Sequence, residues 1–235
     1  MKPLIKAPFF EIGVKNYLFG DAVFELAVAA DRAAVQYDID ILFIAPYADI
    51  RRIAEGTQRL VILAPYMDTI RPGRGLADVL PESLKAAGAK GVVVNHSERP
   101  MSLVQIRQTI ERADELDLLT FACADTVDDA RAIALYRPDI LNPEPSALIG
   151  SGQTGGVEFM RESTIAVKEI SADTLVEQAA GITTAEHVHD YIAGGADGVG
   201  VASGIACAED PVERLHHLLD AFVHARSVRT SPSHS

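Results

Sequence analysis

Short apolar runs alternate with longer segments of helical periodicity along almost the whole chain. Each run is short enough to be one strand, and there are eight of them. The runs are residues 9–14, 39–45, 60–64, 91–94, 118–123, 139–141, 174–180 and 198–202. In the segments between them apolar residues recur at helical spacing, as in Ala22, Leu26, Ala29 and Ala33. This alternation predicts βαβ units and therefore a parallel sheet.

The number of units favours a closed barrel over an open sheet. Eight units in 235 residues leave about 29 residues for each, which is close to what a compact (β/α)8 barrel uses. An open doubly wound sheet is the alternative, but it usually carries a glycine-rich dinucleotide turn after its first strand, and residues 13–17 do not supply one. We therefore predict an α/β fold with a single (β/α)8 barrel domain over residues 1–226 and a flexible tail over 227–235.

Composition restricts the classes of partner. The formal net charge is -12, whereas binding to nucleic acid or anionic lipid needs a basic face. The chain has no apolar run long enough to span a bilayer, and its first residues lack the pattern of a secretory signal. Cys123 and Cys207 are too few for a disulfide framework or a four-thiolate zinc site. We predict a cytoplasmic protein that binds neither nucleic acid nor membrane.

Polar residues follow two of the predicted strands, where the functional groups of such a barrel lie. The fourth strand is followed by Asn95-His96-Ser97-Glu98-Arg99. The sixth is followed by Pro143-Glu144-Pro145 and then by Ile149-Gly150-Ser151-Gly152. A carboxylate on a stiff loop at a strand end is positioned as a general base would be. A solvated or helix-capping glutamate is the alternative for Glu144.

These two segments resemble the signature loops of the triosephosphate isomerase family, in particular its shorter archaeal-like form, over about residues 15–211. Cys123-Ala124-Asp125, Ala179-Ala180-Gly181-Ile182-Thr183 and Val201-Ala202-Ser203-Gly204 are similar to further family segments. The resemblance implies a TIM barrel and an aldose-ketose isomerase that interconverts dihydroxyacetone phosphate and glyceraldehyde 3-phosphate through an enediolate. It implies no metal or organic cofactor, a small phosphorylated sugar as substrate, and a homo-oligomer.

The resemblance also implies roles for individual residues. Glu144 would remove a proton from the carbon next to the carbonyl, and neutral His96 would polarise that carbonyl, which is the known pairing of this family. Lys15 would meet the substrate phosphate and the enediolate oxygen, although a solvated surface lysine is the alternative. Glu98 and Asn95 would support the site, and a salt bridge between Glu98 and its neighbour Arg99 accounts for that glutamate equally well.

Small residues after the last three predicted strands allow backbone N–H groups to converge on a phosphate. The predicted phosphate-binding residues are Gly150, Ser151, Gly181, Thr183, Ala202 and Ser203. Residues 150–156, which contain further glycines, are predicted to act as a lid that excludes water.

The chain departs from the family pattern in its pocket. Gly13 stands where family members usually carry asparagine, and by alignment Gly200 replaces a bulky aliphatic residue of the eighth loop that covers the catalytic glutamate. Both changes remove side chain, so an isomerase of a larger ketose phosphate, such as a tetrulose phosphate, is an alternative. A non-catalytic barrel that binds a phosphorylated metabolite is another, but it gives no reason for Lys15, His96 and Glu144 at separate strand ends.

Overall fold

The computed structural model describes residues 1–230, and its strands close into a barrel. The strands are β1 (Phe9–Gly13), β2 (Ile41–Ile44), β3 (Val61–Ala64), β4 (Gly91–Val94), β5 (Leu119–Ala124), β6 (Ile140–Pro143), β7 (Leu175–Gln178) and β8 (Gly198–Val201). Each strand pairs in parallel with the next, and β8 pairs in parallel with β1. The predicted (β/α)8 TIM barrel is confirmed, and every predicted run overlaps a strand, although β5 and β6 end beyond their runs.

Helices follow the strands in turn. They are α1 (Gly20–Tyr37), α2 (Ile50–Gly56), α3 (Pro81–Ala87), α4 (Leu103–Asp114), α5 (Val127–Ala134), α6 (Gly156–Lys168), α7 (Ala185–Gly194), α8 (Ser203–Ala206) and α9 (Pro211–Thr230). None of the helices within residues 1–230 combines the length and hydrophobicity needed to cross a bilayer.

The strands read as continuous apolar runs because both of their faces are buried. On β1, Phe9 belongs to the cluster inside the barrel, together with residues such as Leu63 and Phe121. Its neighbour Phe10 belongs to the larger cluster between the strands and the helices. There its ring packs edge-on against Phe222 of α9, with the ring centroids 5.9 Å apart. Successive residues of one strand therefore stabilise two separate layers.

The last helix continues beyond the end predicted for the barrel domain. Because α9 runs to Thr230, the first four residues of the predicted tail are helical. The remainder of that tail, residues 231–235, lies outside the described part of the chain. The division into one barrel domain and a flexible tail stays a prediction.

One carboxylate on α1 fixes the chain where it enters β3. Asp31 Oδ1 accepts hydrogen bonds from the backbone N–H groups of Gln58, Arg59 and Leu60, at 2.9, 2.6 and 3.1 Å. These three donors precede the first hydrogen-bonded residue of the strand. A single half-buried oxygen thus holds a whole turn against the helix.

Replacing Asp31 with alanine should lower the free energy of unfolding by about 2 kcal/mol, because hydrogen bonds to a charged group contribute about 1.5–3 kcal/mol and the donors lose their shared acceptor. Urea unfolding measures the difference. Asp21→Ala is the control on the same helix: its carboxylate is 84% exposed and pairs with Arg52 on the surface, so a change of no more than about 1 kcal/mol is expected. Equal unfolding midpoints for the two variants would contradict this account.

Candidate active site

The residues predicted for catalysis lie around one cavity at the carboxyl ends of the strands. Lys15 follows β1, His96 and Glu98 follow β4, and Glu144 follows β6. All four side chains line a cavity of about 690 Å³. The structure therefore brings together groups that lie far apart along the chain.

His96 presents one ring nitrogen to the backbone and the other to Glu144. The N–H of Glu98 donates to His96 Nδ1 at 3.1 Å, so in the neutral ring the proton resides on Nε2. Nε2 lies 3.8 Å from Glu144 Oε2. Burial, followed by the charge of Lys15, lowers the pKa of His96. The imidazole is therefore a neutral donor near pH 7 that points its N–H into the cavity.

Glu144 is a buried carboxylate whose protonation changes near neutral pH. It leaves β6 directly after Pro143, and its backbone N–H donates to Ala124 O at 2.7 Å. Burial raises the pKa of its side chain to about 7, with Lys15 lowering that pKa and Glu98 raising it. A carboxylate tuned to this range can both take up and return a proton at physiological pH.

Lys15 adopts a backbone conformation that is uncommon for a residue with a side chain. Its φ is 46°, in the left-handed region, and such strain concentrates at functional sites. Lys15 Nζ donates to Glu98 Oε1 at 2.8 Å. That hydrogen bond is the main cause that lowers the pKa of Glu98. The predicted alternative of a Glu98–Arg99 pair is not what the structure shows, since the Arg99 guanidinium lies over the Tyr66 ring at 4.3 Å.

Asn95 supports the site through the backbone. Its Nδ2 donates to Cys123 O at 3.0 Å, and its Oδ1 accepts the N–H of Met101 at 2.8 Å. The side chain thus ties the loop that carries His96 to the neighbouring strand β5. Its φ of 60° turns the chain out of β4, and asparagine tolerates this conformation well.

A smaller cavity of about 40 Å³ adjoins the first, and it lies where a phosphate site is predicted. Its lining includes Gly150, Gly181, Thr183, Ala202 and Ser203. Ser151 is not among the lining residues: its hydroxyl donates to Leu148 O at 2.7 Å and accepts the N–H of Gln153 at 3.0 Å. Phosphate binding by this set stays a prediction.

Gly181 is required where the loops after β6 and β7 meet. Its φ is +72°, and a Cβ built on it would run into the carbonyl of Gln153. The two loops therefore approach each other through backbone alone, which only glycine permits at this position.

Three buried polar residues of the barrel interior are not predicted from the sequence. Glu11 on β1, Asn142 on β6 and Glu177 on β7 are buried, and Glu11 Oε1, Asn142 Oδ1 and both Glu177 carboxylate oxygens have no hydrogen-bond partner in the described protein. Burial raises the pKa of Glu11 and of Glu177, the Glu144 carboxyl raises both further, and Glu11 also raises that of Glu177. The signal in the sequence is a glutamate inside each of two apolar runs, which is unusual for buried strands.

The position assigned to Gly200 by alignment is wrong. Gly200 lies within β8 and is not in the loop after it. A Cβ there would fall on Glu11 Oε2 and lie 3.0 Å from Glu177 Oε1. Gly200 thus makes room for buried carboxyl groups inside the barrel, whereas Gly13 does line the main cavity as expected.

Comparison with known proteins fits this geometry. A family model described as triosephosphate isomerase matches residues 14–219. The chain belongs to the triosephosphate isomerase family. The triosephosphate isomerase of Methanobacterium bryantii is 34% identical over 224 residues, which cover 93% of this chain and 99% of that protein. The triosephosphate isomerase of Sulfolobus acidocaldarius is also 34% identical, over 96% of this chain and 99% of that protein.

Membership of the triosephosphate isomerase family makes the chain an isomerase, an intramolecular oxidoreductase, and confirms the resemblance drawn from its strand-end motifs. Within residues 1–230 no group of three or more His, Cys, Asp or Glu side chains is arranged to hold a metal ion.

Replacing Lys15 with methionine should raise the pKa of both Glu144 and His96. The lysine charge stabilises the Glu144 carboxylate and disfavours the protonated imidazole, so its removal moves both titrations upward. Carbon-13 NMR of the glutamate carboxyls and nitrogen-15 NMR of the imidazoles follow the two groups over about pH 5–9. Lys90→Met, which removes an exposed lysine just before β4, should leave both titrations in place. Unchanged titrations in the Lys15 variant would show that this charge does not tune the site.

Proposed function

We propose that Glu144 is the base that isomerises a phosphorylated sugar. The observation that carries this proposal is the facing pair of Glu144 and His96: a carboxylate with a pKa of about 7 lies 3.8 Å from the protonated nitrogen of a neutral imidazole. Lys15 lies beside them in the same cavity. Base, electrophile and cation are the three groups that proton abstraction next to a carbonyl requires.

The proposed reaction begins when Glu144 takes a proton from the carbon next to the carbonyl. The electrons of the broken C–H bond form a C=C bond, and the carbonyl oxygen becomes the enediolate oxygen. The Nε2–H of His96 and the ammonium of Lys15 stabilise the negative charge on that oxygen. His96 moves a proton between the two oxygens, and Glu144 returns its proton to the neighbouring carbon. Atoms and electrons balance within the substrate.

The substrate that we propose first is the pair dihydroxyacetone phosphate and glyceraldehyde 3-phosphate, since the relatives are named triosephosphate isomerase. Its phosphate would occupy the smaller cavity, which shares Lys15 and Glu144 with the larger one. Residues 150–156 would close over it as a lid and protect the enediolate from water. A cytoplasmic location stays a prediction.

An isomerase of a larger ketose phosphate is the second candidate, and it is favoured by the space beside Gly13. A Cβ on Gly13 would lie 3.7 Å from Ala202 Cβ and 3.0 Å from Glu11 Oε1. Because position 13 has no side chain, the cavity extends past the catalytic groups to the Glu11 carboxyl group in the barrel interior.

Replacing Glu144 with glutamine should reduce kcat by about 10²-fold or more, because the amide cannot accept the proton. Affinity for a competitive phosphate ligand should change little, since the phosphate site is intact. Steady-state kinetics with glyceraldehyde 3-phosphate and with tetrulose phosphates measure the loss. The surface variant Glu162→Gln on α6 is the control and should keep full kcat. Equal kcat in the two variants would argue for a barrel that binds a phosphorylated metabolite without using Glu144.

We also propose that the protein is a homo-oligomer, as the family resemblance implies. Light scattering at micromolar concentration gives the mass directly. A mass equal to one chain at every concentration would contradict this expectation.

A further inference from the structure

The main cavity continues below the catalytic residues to a floor made of Glu11 and Asn142. Side chains two apart on a strand share a face, so Glu11 lies one layer deeper than Gly13 on β1, and Asn142 one layer deeper than Glu144 on β6. Both side chains line the cavity. We call these two residues the floor.

The floor presents polar atoms that no group of the described protein satisfies. Glu11 Oε1 and Asn142 Oδ1 are buried without a hydrogen-bond partner, and the two residues are only 4% and 3% exposed. The interior of such a barrel is normally filled by branched apolar side chains. Both side chains line the cavity, and each has a buried oxygen without a partner, which a ligand that reaches the floor can satisfy.

Two glycines on adjacent strands create the space for the Glu11 carboxyl group. Oε1 of Glu11 lies 3.0 Å from where a Cβ of Gly13 would be, and Oε2 occupies the place of a Cβ on Gly200. The carboxyl group thus stands where side chains at positions 13 and 200 would otherwise be. Its position in the barrel therefore depends on both glycines.

The floor and the predicted phosphate site line different cavities, which meet at the catalytic groups. Glu11 and Asn142 line only the larger cavity, whereas Gly181, Thr183 and Ser203 line only the smaller one. Lys15 and Glu144 line both. A substrate with its phosphate in the smaller cavity and its reacting carbons at Glu144 therefore leaves the larger cavity, including the floor, for any further carbons.

We propose that the floor binds hydroxyl groups on carbons beyond the reacting pair, which puts the second candidate substrate, a ketose phosphate with more than three carbons, ahead of the triose phosphates. This inference rests on the proposed isomerisation, which fixes where the reacting carbons lie. With a carbon on either side of the reacting pair, the carbonyl moves between two internal positions, and the reaction interconverts two ketose phosphates. As in the reaction proposed above, Glu144 takes the proton from one carbon of the reacting pair and returns it to the other.

A neutral Glu11 carboxyl group is suited to binding a sugar hydroxyl. Burial and the neighbouring carboxyl group of Glu144 raise its pKa, against the lowering effect of Lys15. A neutral carboxyl group offers one donor and one acceptor, which is what a sugar hydroxyl needs. The amide oxygen of Asn142 supplies a further acceptor.

The first experiment compares kcat/KM of the wild-type protein for dihydroxyacetone phosphate with that for the two enantiomers of a tetrulose 1-phosphate and for a pentulose 1-phosphate. We expect at least one longer substrate to exceed the triose by tenfold or more, with NMR showing the product carbonyl on the neighbouring internal carbon. A preference for the triose over every longer ketose would overturn the inference and leave the proposed isomerase standing. Failure to isomerise any of these compounds would overturn the proposed function itself.

Variants of the floor give the second readout. Glu11→Leu should reduce the ratio of tetrulose to triose kcat/KM about tenfold or more, mainly through the tetrulose KM, because a hydroxyl loses its partner. Glu11→Gln keeps a donor and an acceptor and should restore most of that ratio. Glu162→Leu on the surface is the matched control and should leave the ratio unchanged. A ratio that stays the same in a folded Glu11→Leu protein would contradict hydroxyl binding by Glu11, and the wild-type comparison decides the matter if that variant does not fold.

Discussion

The pairing of β1 with β8 is the constraint on which the rest of the molecule depends. It joins Phe9 to Gly198 and Glu11 to Gly200, residues from the two ends of the chain. Gly198 has no side chain, and the Phe9 ring occupies the space that a Cβ there would need. Closing the barrel brings Lys15 beside groups carried by the fourth, sixth, seventh and eighth strands. Without this closure the cation and the base would not share a cavity.

Burial controls the chemistry of the groups that closure assembles. It raises the pKa of Glu144 and lowers that of His96, so both neutral forms become accessible near pH 7. The positive charge of Lys15 lowers the pKa of both groups, and little solvent screens that charge at this depth. Glu98 accepts a hydrogen bond from Lys15 at the mouth of the cavity, and its negative charge partly offsets the effect of the lysine charge. The protonation of the site therefore depends on charged side chains from three different strand ends.

The order of the strands and most of the rim could be predicted from the sequence, whereas the barrel interior could not. Apolar runs mark the strands because both faces of each strand are buried. The motifs that contain His96 and Glu144 directly follow two of these runs in the sequence, so the positions of both residues follow from the positions of the strands. The contact between Glu11 and Gly200 depends on the register of β1 against β8, which no local pattern specifies. The alignment put Gly200 in a loop, although the predicted apolar run 198–202 already contained it. Ser151 shows a further limit, since its hydroxyl bonds within its own loop.

The close approach of Gln153 to Gly181 links two segments that are separate in the sequence. Any side chain at position 181 would push the loop after β6 outward, and that loop begins at Glu144. The position of Glu144 and the glycine of another loop are therefore structurally coupled. An insertion, deletion or substitution tolerated in one segment must be compatible with the other, so an engineer who transplants one loop from a relative needs to transplant its neighbour with it.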